Sequence, residues 1–253
     1  MNRWSRLLSL FATTVFLGGL APVWASSAVH GPINAFILDP GHGGDDFGAV
    51  AAGRHEKDIV LAIARKVRAR LEQIGGIPAR LTRETDVFVP LDARVDEGLA
   101  GTAFISLHLN KVRFKKLRGI RIYAFGKDGH QIPPARHHRQ KVAPLPPPPK
   151  EEARASAVLA GSIARSLRSR GFKTDPPARA GFYVLKNPRA PSVLIEMGYL
   201  SNPQEAAELA DASYQDKLAD AIAASLQAYA VQAGSVERPA AASVTASNKL
   251  SSR

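Results

Sequence analysis

The feature that most constrains this chain is a short apolar run, Ala35-Phe36-Ile37-Leu38, cut off by Asp39-Pro40-Gly41. It is followed at Glu56 by a long stretch of helical periodicity. The run reads as a buried strand, because Pro40 lacks a backbone donor and cannot continue a ladder. In the helix, Ile59, Val60, Ile63, Val67 and Leu71 recur on one face from about Glu56 to Ile74, and Gly75-Gly76 ends it. Between the two, His42 stands among glycines in Gly41-His42-Gly43-Gly44. That places an imidazole at the C-terminal end of a strand with little bulk around it, where a ligand or a metal could approach closely.

The strand–helix alternation continues. Pro78–Leu81 reads as a second strand, Pro90–Leu99 as a helix and Thr102–Leu107 as a third strand leading into His108 and Asn110. Ile120–Phe125 reads as a fourth strand and Glu151–Arg170 as a strong helix. Tyr183–Leu185 and Ser192–Glu196 read as the last two strands. Asn202-Pro203 starts a short helix, with Asn202 as cap and Pro203 at its first position, and a final helix spans about Tyr214 to Val231. This order predicts a single α/β domain with a twisted, mostly parallel sheet covered by helices on both faces. In such sheets the working crevice lies outside the C-terminal ends of the strands.

Two segments flank this domain and one interrupts it. Arg3 and Arg6 precede an uncharged run from Leu7 to Leu20, and Val23-Trp24-Ala25 supplies a small residue ahead of Ser26. Residues 1–25 therefore read as a cleaved secretory signal, and the domain as 26–232. Residues 233–253 are rich in Ala and Ser and read as a disordered tail. Residues 127–150 hold His130, His137, His138, a basic run and four consecutive prolines. They read as an exposed, partly polyproline loop that could wall or lid a cleft, with the histidines solvated.

The chain has no cysteine, so an exported form relies on a packed core and carries no lipoprotein anchor. Its net charge is +12; residues 1–25 hold two of the 34 basic residues and no acid, so removing them leaves +10. Outside the cytoplasm such a field suits an anionic envelope polymer or a membrane surface, and nucleic acid is not expected as a partner. No later stretch is apolar enough to span a bilayer.

Ligand-type residues fall at the predicted strand ends: His42 after the first, His108 after the third and Glu196 after the last, with Glu56 opening the first helix. Two imidazoles and one carboxylate form a three-ligand set for catalytic zinc, and a second carboxylate would serve as general base. Each has an ordinary alternative: a loop histidine, a satisfied core histidine, a helix-start glutamate. Glu196 resists that treatment, because it follows Val193-Leu194-Ile195 and a buried charge needs a partner or a function.

These segments resemble the zinc-dependent N-acetylmuramoyl-L-alanine amidases, the cell-division branch in particular. The resemblance rests on Asp39-Pro40-Gly41-His42-Gly43-Gly44, His55-Glu56-Lys57-Asp58, Leu81-Thr82-Arg83 and Ser106-Leu107-His108-Leu109-Asn110. It continues through Gly181–Leu185, Pro191–Glu196 and Ser201-Asn202-Pro203, and covers about Ala35 to Val231. It implies that His42, Glu56 and His108 hold one Zn²⁺, that Glu196 is the catalytic carboxylate, and that peptidoglycan is the substrate. Asn110 or Arg83 would contact substrate or brace the site. A monomer located in the periplasm, or secreted, is expected, with an activator protein as a possible partner. Family members of this branch carry a helical plug near 127–150; here that segment is short, Pro-rich and unhelical, which argues against such a plug. An exported zinc peptidase and a non-catalytic envelope-binding module remain alternatives at this point.

Overall fold

A computed structural model describes residues 32–51, 53–130 and 142–234. The expected signal at 1–25, His137 and His138, and most of the expected tail lie outside the described residues. Six strands form one sheet: β1 (Ala35–Pro40), β4 (Ala79–Leu81), β5 (Thr102–Asn110), β6 (Arg121–His130), β7 (Ala178–Ala180) and β8 (Ser192–Tyr199). Their spatial order is β4-β1-β5-β8-β6-β7. The four strands β4, β1, β5 and β8 run parallel, whereas β6 is antiparallel to β8 and parallel to β7. A separate two-stranded ribbon, β2 (Val50–Ala51) and β3 (Arg54–His55), lies in the loop before the first helix.

The strands sort their side chains by the two-residue pleat. On one face Phe36, Leu38, Ile105, Leu107, Leu109, Val193, Ile195 and Met197 belong to the large core cluster. That face is sealed by α1 (Glu56–Ile74), α3 (Lys150–Ser169), α4 (Pro203–Ala210) and α5 (Ala212–Gln232). On the other face Ile37, Phe104, Tyr123 and Leu194 join a smaller cluster with Val95, Val184 and Leu185. Among the described residues its cover is α2 (Leu91–Asp96), a 3₁₀ turn at Tyr183–Lys186 and partly buried side chains such as Leu145. Helical matter does lie on both faces, as expected, but very unequally. Among the described residues no helix is long and apolar enough to cross a membrane.

Two expectations need correction. Tyr183–Leu185 is not a strand: Val184 and Leu185 are consecutive and both buried, which a strand lying on one face of a core cannot achieve, and a 3₁₀ turn can. The edge strand is instead Ala178–Ala180, just after Pro176-Pro177. The loop expected at 127–150 starts later, because β6 runs on to His130. Its described end is also not simply exposed. Leu145 packs on the smaller core, Pro148 is buried, and the carbonyl of Ala143 accepts the Tyr183 hydroxyl at 3.1 Å.

Candidate metal centre

Strand register brings the ligand-type residues together. Pro40 pairs with Leu107, so His42 and His108 leave adjacent strands at nearly the same height, and His108 pairs directly with Glu196 on β8. Because Leu107 and Ile195 point into the large core, His108 and Glu196 point to the thinly covered face. Glu56 is the first residue of α1, fixed there by reciprocal contacts with Ala49: its own N–H reaches the Ala49 carbonyl at 2.9 Å, and its Oε2 accepts the Ala49 N–H at 2.7 Å.

The other carboxylate oxygen of Glu56 lies 3.2 Å from His42 Nε2 and 2.9 Å from His108 Nδ1, and also accepts the Leu109 N–H at 2.9 Å. One donor atom from each of His42, Glu56 and His108 falls within 4.8 Å of the others, and the two rings meet edge-on with centroids 4.9 Å apart. His42 Nδ1 is held at 2.8 Å by the Asp46 carboxylate, which leaves Nε2 turned to the cluster. His42 sits at φ 60°, the one non-glycine with positive φ among the described residues. Such a conformation costs about 1–3 kcal/mol and persists where surrounding contacts impose it.

The glycines explain why the loop is shaped as it is. Gly43 and Gly44 pass close to the backbone of Val87 and Phe88, whereas Gly41, and Gly48 further along the loop, clear room for the site's own side chains. A Cβ on Gly41 would stand 2.2 Å from the His108 ring, and one on Gly48 would stand 2.6 Å from both Glu56 Oε2 and the His42 ring. No side chain other than hydrogen lets these groups close to this distance.

Charge in the cluster is arranged for a cation. Burial opposes ionisation of Glu56, but the His42 and His108 imidazoles outweigh it and hold the carboxyl well below its ordinary range. Burial pushes His42 down, yet the Glu56 carboxylate and the Asp46 hydrogen bond raise it to about 10. Both shifts mark a pocket of negative potential that favours a positive charge among these three side chains. A ligand set of two imidazoles and a buried carboxylate, with an oriented ring, fits a divalent ion such as zinc. Glu196 stands apart: it is 6% exposed, its Oε2 has no hydrogen-bond partner, and burial together with the nearby Glu56 carboxylate pushes it up to about 8. A buried carboxylate oxygen left without a partner beside such a cluster makes Glu196 a candidate acid or base.

Arg83 and Asn110 take different places. Arg83 is 3% exposed, and its guanidinium donates to the carbonyls of Pro40, Gly41, Lys57 and Thr85. It braces the histidine loop. Asn110 is half-buried at the end of β5, two residues beyond His108. Three residues that sequence reasoning missed complete the frame. Asp46 orients His42. Asp39, fully buried, accepts from Thr82, Ser106 and Arg94, each at 2.7 Å. Arg94 also donates to the carbonyls of Val89, Pro40 and His42. Asp46 was legible as the acid four residues from His42 within the same Gly-rich loop. Nothing local linked Asp39 to Arg94, 55 positions away.

Known proteins carry the same arrangement of chain. A family model described as N-acetylmuramoyl-L-alanine amidase matches residues 36–228. The chain is 35% identical to the amidase AmiA of Escherichia coli K12 over 217 residues, covering 76% of this chain and 75% of that protein. It is 30% identical to AmiC of Escherichia coli O6:H1 over 225 residues, covering 80% of this chain but only 54% of the relative. The solved structure of the amidase AmiC2 of Nostoc punctiforme superposes with a TM-score of 0.62 at 31% identity, over 79% of this chain and 98% of that one. The match spans nearly all of the sheet, its helices and all four of His42, Glu56, His108 and Glu196, and on it the chain belongs to the N-acetylmuramoyl-L-alanine amidase family.

Proposed function

We propose that this protein is an exported zinc-dependent peptidoglycan amidase that hydrolyses the amide joining the lactyl group of N-acetylmuramic acid to L-alanine of the stem peptide. The observation that carries this reading is the convergence of His42, Glu56 and His108 beside the buried Glu196, one of whose carboxylate oxygens has no hydrogen-bond partner. The family membership supports the choice of bond and substrate.

In this reading His42, Glu56 and His108 hold one Zn²⁺, which when bound supplies Lewis acidity: water deprotonates near neutral pH and the scissile carbonyl is polarised. Glu196 takes a proton from the attacking water and delivers it to the departing amine nitrogen as the C–N bond breaks, leaving a lactyl carboxylate and a free L-alanine amine. A pKa raised towards neutrality suits both halves of that transfer. Asp46 keeps the His42 ring in one orientation, while Arg83 and Arg94 hold the carbonyls of the histidine loop in place. Asn110 is the remaining candidate for substrate contact.

Residues 1–25 act as the secretory signal, 26–232 as the catalytic domain and 233–253 as a tail, with the periplasm or the extracellular space as destination. Mass spectrometry of sacculus digests, with and without a chelator, tests the activity. Free stem peptides released only without chelator are expected. Release of glycan fragments or of internally cut peptides instead would overturn the assignment of the bond. Equal release with chelator would overturn the metal.

A further inference from the structure

The segment joining β5 to β6, Lys111-Val112-Arg113-Phe114-Lys115-Lys116-Leu117-Arg118, has no part in the centre described above, yet it is chemically the most distinctive surface of the molecule. It carries five cations in eight residues, and no acidic residue occurs anywhere from Gly98 to Lys127. Phe114 is 70% exposed, the most exposed large apolar side chain among the described residues, and Leu117 is 41% exposed. A turn closed by the Leu117 N–H on the Phe114 carbonyl at 3.3 Å sets Lys115 and Lys116 at its corner, with the phenyl ring and the leucine at its two ends.

This tip stands on a fixed base. The Leu200 N–H reaches the Asn110 carbonyl at 2.8 Å, and the Val112 N–H reaches Ser201 Oγ at 3.2 Å. Asn202 Nδ2 donates to the Leu117 carbonyl at 3.2 Å, and the Gly119 N–H to Glu205 Oε1 at 2.7 Å. Where the loop rejoins the sheet, Arg118, Arg170 and Lys173 line a cavity of about 290 Å³ beside Tyr214, Glu208 and Glu205, whose carboxylate accepts the Gly119 and Tyr199 N–H groups. Since β8 lies between β5 and β6, the loop arches over the C-terminal edge of the sheet, the edge that carries His108 and Glu196.

We propose that this loop docks the protein on an anionic lipid bilayer, with Phe114 and Leu117 entering the acyl–headgroup boundary, the flanking lysines and arginines on the lipid phosphates, and the Arg118–Arg170–Lys173 cavity taking a headgroup phosphate. An anionic polymer in water needs the cations alone. An exposed phenyl ring at the tip of a turn gains free energy only where an apolar phase is there to enter, and cations beside buried apolar groups are the combination that interfacial binding uses. Docked in this way, the loop holds the edge carrying the candidate site close to the bilayer surface. The inference does not depend on which bond that site cleaves.

The test is co-sedimentation of the chain from Ser26 onward, free of the signal segment, with vesicles of phosphatidylglycerol and phosphatidylcholine, against phosphatidylcholine alone and against purified sacculi. Binding to the anionic vesicles that weakens with salt is expected. The double variant Lys115→Gln/Lys116→Gln should bind them about 30-fold more weakly, from roughly 1 kcal/mol per cation near an anionic surface. Phe114→Ser should bind about tenfold more weakly, through the loss of partial burial of the ring. Phe114→Trp should bind and show a blue-shifted emission on vesicles; both natural tryptophans, Trp4 and Trp24, lie in the signal segment, so the new indole reports alone. No affinity for anionic vesicles, or equal affinity in the lysine double variant, would overturn the proposal. Loop-dependent binding to sacculi but not to vesicles would also overturn it and assign the loop to a wall polymer. Circular dichroism of each variant separates loss of docking from loss of fold.

Discussion

The two faces of the sheet are made from the same strands and do opposite work. On one side Leu107 and Ile195 are fully buried beneath long helices. On the other, their immediate neighbours His108 and Glu196 belong to the face whose smaller core is covered by a short helix and a 3₁₀ turn, and one carboxylate oxygen of Glu196 has no hydrogen-bond partner. The first face stabilises, through apolar area removed from water. The second tolerates a left-handed histidine and a buried carboxylate oxygen without a partner, both of which cost stability. Alternation with a period of two lets one strand supply both, with neither function compromising the other.

The sharpest way to break this comparison is to substitute adjacent residues. Glu196→Gln should lower the release of stem peptides on the order of 10²–10⁴-fold, the usual worth of a positioned acid–base group. Its melting temperature should stay level or rise, because a buried carboxyl without a partner has been neutralised. One position earlier, Ile195→Ala should cost about 2–5 kcal/mol in urea unfolding, through lost burial and a cavity under the helices. The protein that remains folded should keep most of its turnover. If Glu196→Gln unfolds the protein, or Ile195→Ala abolishes turnover in the folded fraction, the faces are not separable as described.

A smaller effect probes how the open face is held. Asp46 fixes the His42 ring through Nδ1 at 2.8 Å. Asp46→Asn should weaken zinc binding about 10–100-fold, read by competition with a fluorescent chelator, with little change in unfolding free energy. Unchanged affinity would mean that the strained backbone at His42 alone sets the ring.

Much of this contrast was legible in the chain. The β-strand ends and the start of α1 were marked by local chemistry, namely Asp39-Pro40-Gly41, the helical period from Glu56, and the run into His108, so His42, Glu56, His108 and Glu196 could be named before any coordinates. Two kinds of information were absent. One is burial of consecutive residues: Tyr183–Leu185 has a strand-like composition, and only the core beneath it decides for a 3₁₀ turn. The other is long-range polar pairing. The chain left Arg83 between contacting substrate and bracing the site; both it and Arg94 are 3% exposed and bound to the histidine loop. No spacing rule connects a guanidinium to carbonyls some forty to fifty positions away.

That hidden brace gives the smallest and most diagnostic expectation. Burial pushes the Asp39 carboxyl up, but the Arg94 guanidinium and the hydroxyls of Ser106 and Thr82 outweigh it, leaving the folded-state pKa below the ordinary value of 3.8. The unfolded chain therefore binds the proton more readily than the folded one as pH falls through 3.8, and stability must drop with falling pH across that window. Above it the full contribution is present. One proton limits the slope to about 1.4 kcal/mol per pH unit. Urea unfolding of the wild type between pH 6 and pH 3 should show this component, and Asp39→Asn should lack it while being less stable at pH 6. Should the two profiles run parallel below pH 4, the proton is taken up elsewhere, and the clasp of Asp39 by Arg94 does not carry the acid sensitivity of the open face.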